Sequence, residues 1–179
     1  MKKLLMLSSF ALLLTACQKD KAETTTAETT KAKTEISALK EYTPEQVSEL
    51  LKTQNDTLYV TNFFATWCGP CMREMPHFRE KIKETEGQPI KFTFVSLDDR
   101  KDWNTKVKQF ADQFEMKNVI LTDGAALDPT FFENHFQTWD GSSIPFTIMK
   151  KGDKTEEIVG MLTKSDLDQK IAAFGVSQK

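Results

Sequence analysis

Phe63-Phe64-Ala65-Thr66-Trp67-Cys68-Gly69-Pro70-Cys71 joins a run of large apolar side chains to two thiols spaced three residues apart. Residues 57–65 are rich in β-branched and aromatic side chains and follow an Asn55-Asp56 turn signal, so they read as a central strand. Over residues 70–86, Met75, Phe78 and Ile82 recur on one face of a helix, with Pro76 inside it as a kink. The two cysteines therefore sit where a strand hands over to a helix. Cys68 falls at or before the helix N-terminus, where free N–H groups and the positive end of the macrodipole favour a thiolate. Cys71 lies one turn inside, close enough to close a small disulfide ring. Gly69 lets the chain turn and Pro70 suits the first helical turn. This pattern assigns Cys68 as attacking nucleophile and Cys71 as resolving thiol. Three other readings compete with it. A purely structural disulfide closing so short a loop adds little stability. A zinc knuckle needs four ligands and a second Cys pair. Two buried core cysteines leave the flanking Trp67, Gly69 and Pro70 unexplained.

On either side of this junction, helical and strand patterns alternate. Thr43-Pro44-Glu45-Gln46 reads as a helix start ahead of Val47, Leu50 and Leu51. Residues 90–97 read as a second buried strand, and Trp103, Val107, Phe110 and Phe114 recur at helical spacing. A short strand is expected at 119–122. Asp128-Pro129 opens a helix expected to carry Phe131, Phe132, His135, Phe136 and Trp139. Residues 144–150 and 154–159 form a hairpin about Lys151-Gly152-Asp153, and Ser165 is expected to cap a last helix bearing Leu167, Ile171 and Phe174. The order α-β-α-β-α-β-α-β-β-α predicts an α/β layered domain with a mixed central sheet.

The nine-residue run resembles the thioredoxin active site. Pro76 stands five residues after the second cysteine, where thioredoxins kink the same helix, and Ile144-Pro145 resembles the family's cis-proline. Residues 159–164, Val-Gly-Met-Leu-Thr-Lys, resemble the stretch before the thioredoxins' last helix. The resemblance spans residues 57–174. It implies a thioredoxin fold with an inserted helical segment before the cis-proline strand, and a redox-active Cys68-Cys71 disulfide. It also implies substrate binding by Trp67, Gly69, Pro70, Ile144 and Pro145. Thioredoxin carries a buried Asp six residues before its first active-site cysteine, where this chain has Asn62. Glu74 supplies a carboxylate three residues after Cys71 instead. The run 67–76, Trp-Cys-Gly-Pro-Cys-Met-Arg-Glu-Met-Pro, is similar to the membrane-tethered TlpA/ResA-like thiol-disulfide oxidoreductases. That likeness implies a pKa-tuning or proton-transfer role for Glu74, the alternative being an ordinary solvated helix carboxylate.

The first residues read as an address. Met1-Lys2-Lys3 is a short positive region, and residues 4–14 form an apolar stretch too short to span a bilayer, which needs about 20 residues. Leu14-Thr15-Ala16-Cys17 resembles the bacterial lipobox, implying a signal peptide over 1–16 and a lipidated Cys17. The alternative is an ordinary signal peptide cut nearby. Residues 18–35 hold six Thr, four Lys and four acids with no aliphatic side chain larger than Ala, so 17–35 reads as an acylated cysteine and disordered tether. The domain is expected over 36–179.

Composition bounds the function. In 179 residues, 39% hydrophobic content and thirteen Phe suffice for one sizeable core. A net charge of −2 gives no footprint for nucleic acid, and three Cys are too few for a disulfide scaffold. His77 and His135 read as surface or core residues, so no metal and no cofactor is expected. The expected function is a thiol-disulfide oxidoreductase that reduces exported proteins, such as apocytochrome c. It would be lipid-anchored in the cell envelope facing the periplasm, with Gln18 favouring the outer membrane in a Gram-negative cell. Its partners would be disulfide-containing exported proteins, a membrane thiol-electron donor of DsbD/CcdA type, and the bilayer. The alternatives are a disulfide oxidase or isomerase, and a non-catalytic copper carrier on the same fold.

Overall fold

The structure, a computed structural model, describes residues 39–176. The expected signal peptide, lipidated Cys17 and tether lie outside the described residues. The chain enters through a two-residue strand, β1 (Lys40–Glu41), and helix α1 (Pro44–Leu51), then strand β2 (Leu58–Phe64) and helix α2 (Gly69–Glu84). Strand β3 (Ile90–Ser96) leads through a 3-10 turn and a π turn into α3 (Lys108–Gln113), followed by β4 (Val119–Leu121) and α4 (Pro129–His135). A hairpin of β5 (Phe146–Lys151) and β6 (Lys154–Val159) precedes α5 (Lys164–Ala173).

The six strands form one mixed sheet in the order β1-β4-β3-β2-β5-β6. β1, β4, β3 and β2 run parallel to one another, whereas β5 pairs antiparallel with both β2 and β6. Both faces of the sheet are covered, so β2 is buried along almost its whole length, Thr61 and Asn62 included, rather than on alternate residues. Its alternate side chains feed two cores. Leu58, Val60 and Phe64 pack with Met75 and Phe78 of α2, Phe110 of α3, and Leu167 and Ile171 of α5. Phe63 points the other way, into a cluster with Val47 and Leu51 of α1 and with Phe131, Phe136, Trp139 and Phe146. The α/β architecture with a mixed sheet is the one expected.

Four local expectations are corrected. β1 is an additional strand whose two polar residues carry no periodicity; it exists because Lys40 and Glu41 pair with Ile120 and Leu121. The helix opened by Asp128 stops at His135, short of Phe136 and Trp139. There Phe136 is extended, and the Gln137 and Thr138 amides donate to the Glu157 carboxylate at 2.8–3.0 Å. The last helix is capped by Thr163 and not by Ser165: Thr163 Oγ1 accepts from Asp166 N, and Asp166 Oδ2 accepts from Thr163 N in return. The Trp103–Val107 stretch winds as a π turn and not a regular helix, its Trp103 indole donating at 2.8 Å to the Asp98 carbonyl.

α2 and α5 are clamped by charge. Lys81 is fully buried and pairs with both Glu84 and Asp168, while Lys164 reaches Glu84 at 2.9 Å. A buried ammonium ion is tolerated only when carboxylates replace its lost hydration. This clamp fixes α2, and with it the two cysteines at its start, against the C-terminal helix.

Candidate active site

Cys68 is the N-cap of α2 and Cys71 lies one turn inside, and the two are joined in a disulfide. Gly69 and Pro70 open the helix between them. The Cys71 backbone N–H donates to Cys68 Sγ at 3.2 Å, so one of the helix's otherwise unused donors is aimed at the outer sulfur. In the reduced protein that donor and the helix dipole favour negative charge on Cys68. Cys68 retains 5% of its surface and Cys71 none, so only Cys68 is open to an incoming sulfur.

The Ile144–Pro145 peptide is cis, and the Ile144 carbonyl oxygen lies 3.6 Å from Cys68 Sγ. The structure therefore brings Trp67, Cys68, Gly69, Pro70, Cys71, Ile144 and Pro145 together. Two hydrogen bonds hold the proline loop. The Gly160 N–H donates to the Pro145 carbonyl at 2.8 Å, and the Trp139 indole donates to the Ser143 carbonyl at 2.7 Å. Trp139 is in turn stacked on Phe146, with ring centroids 4.2 Å apart. The large apolar side chains most exposed among the described residues are Trp67, next to Cys68, and Val159 and Met161, which flank Gly160.

Glu74 is not a solvated carboxylate. It is fully buried on the face of α2 that also carries Cys71, one turn away. Its Oε1 accepts from Asn62 Nδ2 at 2.8 Å and its Oε2 from the Leu162 N–H at 3.0 Å. Asn62 also donates to Thr147 Oγ1 at 3.0 Å, and its own Oδ1 is buried without a hydrogen bond. The orientation that leaves Oδ1 unpaired is the one that gives Glu74 its side-chain donor. Burial dominates over these two donors and pushes the Glu74 carboxyl up to about 7.

That shift has a defined consequence for stability. Between the ordinary carboxylate range and pH 7 the folded chain keeps a proton that the unfolded chain has lost, so stability falls as pH rises. The loss is complete above pH 7 and amounts to on the order of 3 kcal/mol. Urea unfolding of the oxidised protein at pH 5 and pH 8 is expected to show it, and the difference is expected to shrink to below about 1 kcal/mol in Glu74→Gln.

A second buried carboxylate was not singled out in the sequence. Asp98, fully buried just after β3, accepts from the Thr66 N–H with both oxygens at 3.0–3.1 Å, from the Thr66 hydroxyl at 2.5 Å, and from the Ser96 hydroxyl at 2.9 Å. Thr66 stands two residues before Cys68, so Asp98 pins the approach to the cysteine turn. In sequence it is one of two adjacent acids in Leu97-Asp98-Asp99-Arg100, which look like ordinary turn residues. His135 stacks on Phe131 in the apolar cluster, and the Phe/Trp stripe around it is largely core.

A family model described as Redoxin matches residues 18–134, about two thirds of the chain, including both cysteines and Glu74. The chain belongs to the Redoxin family. This redoxin is 27% identical over 110 residues to the thioredoxin-like protein YneN of Bacillus subtilis, covering 62% of this chain and 61% of that one. It is 28% identical over 115 residues to the thiol-disulfide oxidoreductase ResA of Geobacillus kaustophilus, covering 63% and 60%. The chain thus spans about three fifths of the length of the curated relatives it matches. Among solved structures it resembles a thiol:disulfide interchange protein of the thioredoxin family from Chlorobium tepidum, with a TM-score of 0.56 and 23% identity over 70% of this chain and 83% of that one. It also resembles a thioredoxin-related protein from Neisseria meningitidis, with a TM-score of 0.55 and 22% identity over 72% and 91%. At these identities the structural likeness speaks for the fold, which is the thioredoxin fold expected from residues 63–71 and Pro145.

Proposed function

We propose that this redoxin is a thiol-disulfide oxidoreductase that reduces disulfides of exported proteins. The observation that carries the reading is the placement of Cys68: an N-cap thiol served by the Cys71 N–H, facing the Pro145 loop, with Cys71 buried directly behind it. In the reduced enzyme, Cys68 thiolate attacks one sulfur of a substrate disulfide. A mixed disulfide forms and the other substrate sulfur leaves as thiolate. Cys71 then loses its proton and attacks Cys68 Sγ, closing the enzyme disulfide and releasing the second substrate thiolate. Two electrons pass from enzyme to substrate.

Glu74, one turn from Cys71 with its carboxyl raised to about 7, is the group we assign to receive the Cys71 proton. The Gly69-Pro70 pair matches the reducing thioredoxin, whose potential is about −270 mV, and not the strong oxidant at about −120 mV. Turnover as a reductant requires a donor of electrons, for which a membrane thiol carrier of DsbD/CcdA type is the fitting class. The lipobox-like Leu14-Thr15-Ala16-Cys17 and the polar 18–35 stretch support a lipid-anchored protein of the cell envelope, with apocytochrome c among its exported substrates.

The test is reduction of insulin by dithiothreitol with and without the purified protein, followed as turbidity. Acceleration is expected for the wild type and none for Cys68→Ser. Equal rates for the two proteins would overturn the reading.

A further inference from the structure

The inserted segment builds a cleft at the edge of the Pro145 loop that this exchange reaction does not require. It encloses about 420 Å³ between α4, the loop 136–143 and the end of β6. Phe132, Phe136 and Trp139 contribute its aromatic side, with Phe132 and Phe136 each packed against Trp139 at 5.1 Å between centroids. Its polar side carries two exposed acids, Glu133 and Asp140, and no residue lining it is basic. Asp140 is held in place, its carboxylate accepting the Ser142 N–H at 2.9 Å, and the hydrogen bonds from Ser142 lower its pKa from the usual carboxylate value. Gly141 seals the wall. Its φ is +83°, and a Cβ there would meet the Phe132 ring at 2.4 Å, so backbone lies directly on that ring.

Two residues of the cleft adjoin the site in the chain. Ser143 and Val159 both line it. Ser143 precedes Ile144, whose carbonyl faces Cys68, and Val159 precedes Gly160, whose N–H holds the Pro145 carbonyl. An extended chain covers at most about 3.5 Å per residue, so a polypeptide bound across the Pro145 loop has only a short run to the Ser143 edge of this cleft.

We infer that the cleft is a substrate subsite that takes a lysine or arginine side chain flanking the disulfide under attack. The long apolar stem of such a side chain matches the aromatic side, and its cationic head meets Glu133 and Asp140. Rim charges of this kind act on choice of partner more than on chemistry. The inference rests on the exchange reading above and adds which substrates it favours.

The experiment compares three synthetic peptides that share one intramolecular disulfide and carry Lys, Ala or Glu three residues from the cysteines. Hydroxyethyl disulfide serves as a small uncharged control. At low salt, kcat/KM for the Lys peptide is expected to exceed that for the Glu peptide by about fivefold or more. In the double variant Glu133→Gln/Asp140→Asn, which keeps the Asp140 acceptor, the ratio is expected to fall towards one while the rate on hydroxyethyl disulfide is unchanged. Equal rates for Lys and Glu peptides in the wild type, or a preference that survives in the variant, overturn the subsite. A second readout needs no reaction: the oxidised wild type is expected to bind a Cys→Ser version of the Lys peptide more tightly than the double variant does, and equal affinities overturn the subsite. A wild type that leaves hydroxyethyl disulfide untouched overturns the exchange reading, with the binding readout still deciding the cleft.

Discussion

Cys71→Ser is expected to accumulate a covalent complex with substrate through Cys68, seen as a higher-mass band on non-reducing gels that collapses with dithiothreitol. Cys68 keeps its helix N-terminus in this variant, and a serine hydroxyl at 71 still lies where the thiol did, so the first attack proceeds. Only the resolving sulfur is missing. Turnover is expected to drop by on the order of 10³-fold, since a buried hydroxyl does not displace a disulfide sulfur at neutral pH. Cys68→Ser is expected to lose turnover to the same extent without trapping anything, because the group that opens the substrate disulfide is gone. The contrast separates the two roles, and both follow from exposure: Cys68 has an open edge and Cys71 has none. Full turnover in Cys71→Ser would remove it as the resolver.

Asp98→Ala is expected to have the largest effect on stability of any change near the site. The Thr66 N–H and the Thr66 and Ser96 hydroxyls all direct their hydrogens at this one buried carboxylate. Removing it leaves three donors without their partner, Ser96 fully buried and Thr66 half-buried, at about 1–3 kcal/mol each before relaxation. A loss of about 3–5 kcal/mol is expected in urea unfolding, with Asp98→Asn less damaging because one acceptor oxygen remains. Unchanged unfolding in Asp98→Ala would show that the turn before Cys68 stands without this anchor.

The site was legible in the sequence where chemistry and local structure coincide. The Trp67-Cys68-Gly69-Pro70-Cys71 run is at once a helix start, a tight turn and a pair of thiols, so its residues specify a conformation as well as a reaction. The strands of the interior were legible for a similar reason: β2 and β3 are rich in aromatic and β-branched side chains and are buried along most of their length. What was hidden depends on partners distant in sequence. Glu74 was picked out by the likeness of residues 67–76, but its burial was not legible: its partners are Asn62, twelve residues upstream, and Leu162, eighty-eight downstream. Asp98 owes its role to Thr66 across thirty-two residues. The end of α4 was misread because Phe136 and Trp139 continue the apolar pattern, whereas the backbone leaves the helix to reach Glu157. Periodicity records which side chains are apolar, and the tertiary hydrogen bonds that stop a helix leave no such trace.

The central claim is that Cys68 and Cys71 form a reducing dithiol, and the reduction potential of the purified protein tests it most directly. Equilibration of the protein in dithiothreitol and glutathione buffers, with the free thiols counted by alkylation, gives the value. The account predicts a potential near thioredoxin's, about −270 mV. A value near that of the strong oxidants, about −120 mV, would contradict it and reverse the direction in which this site passes electrons.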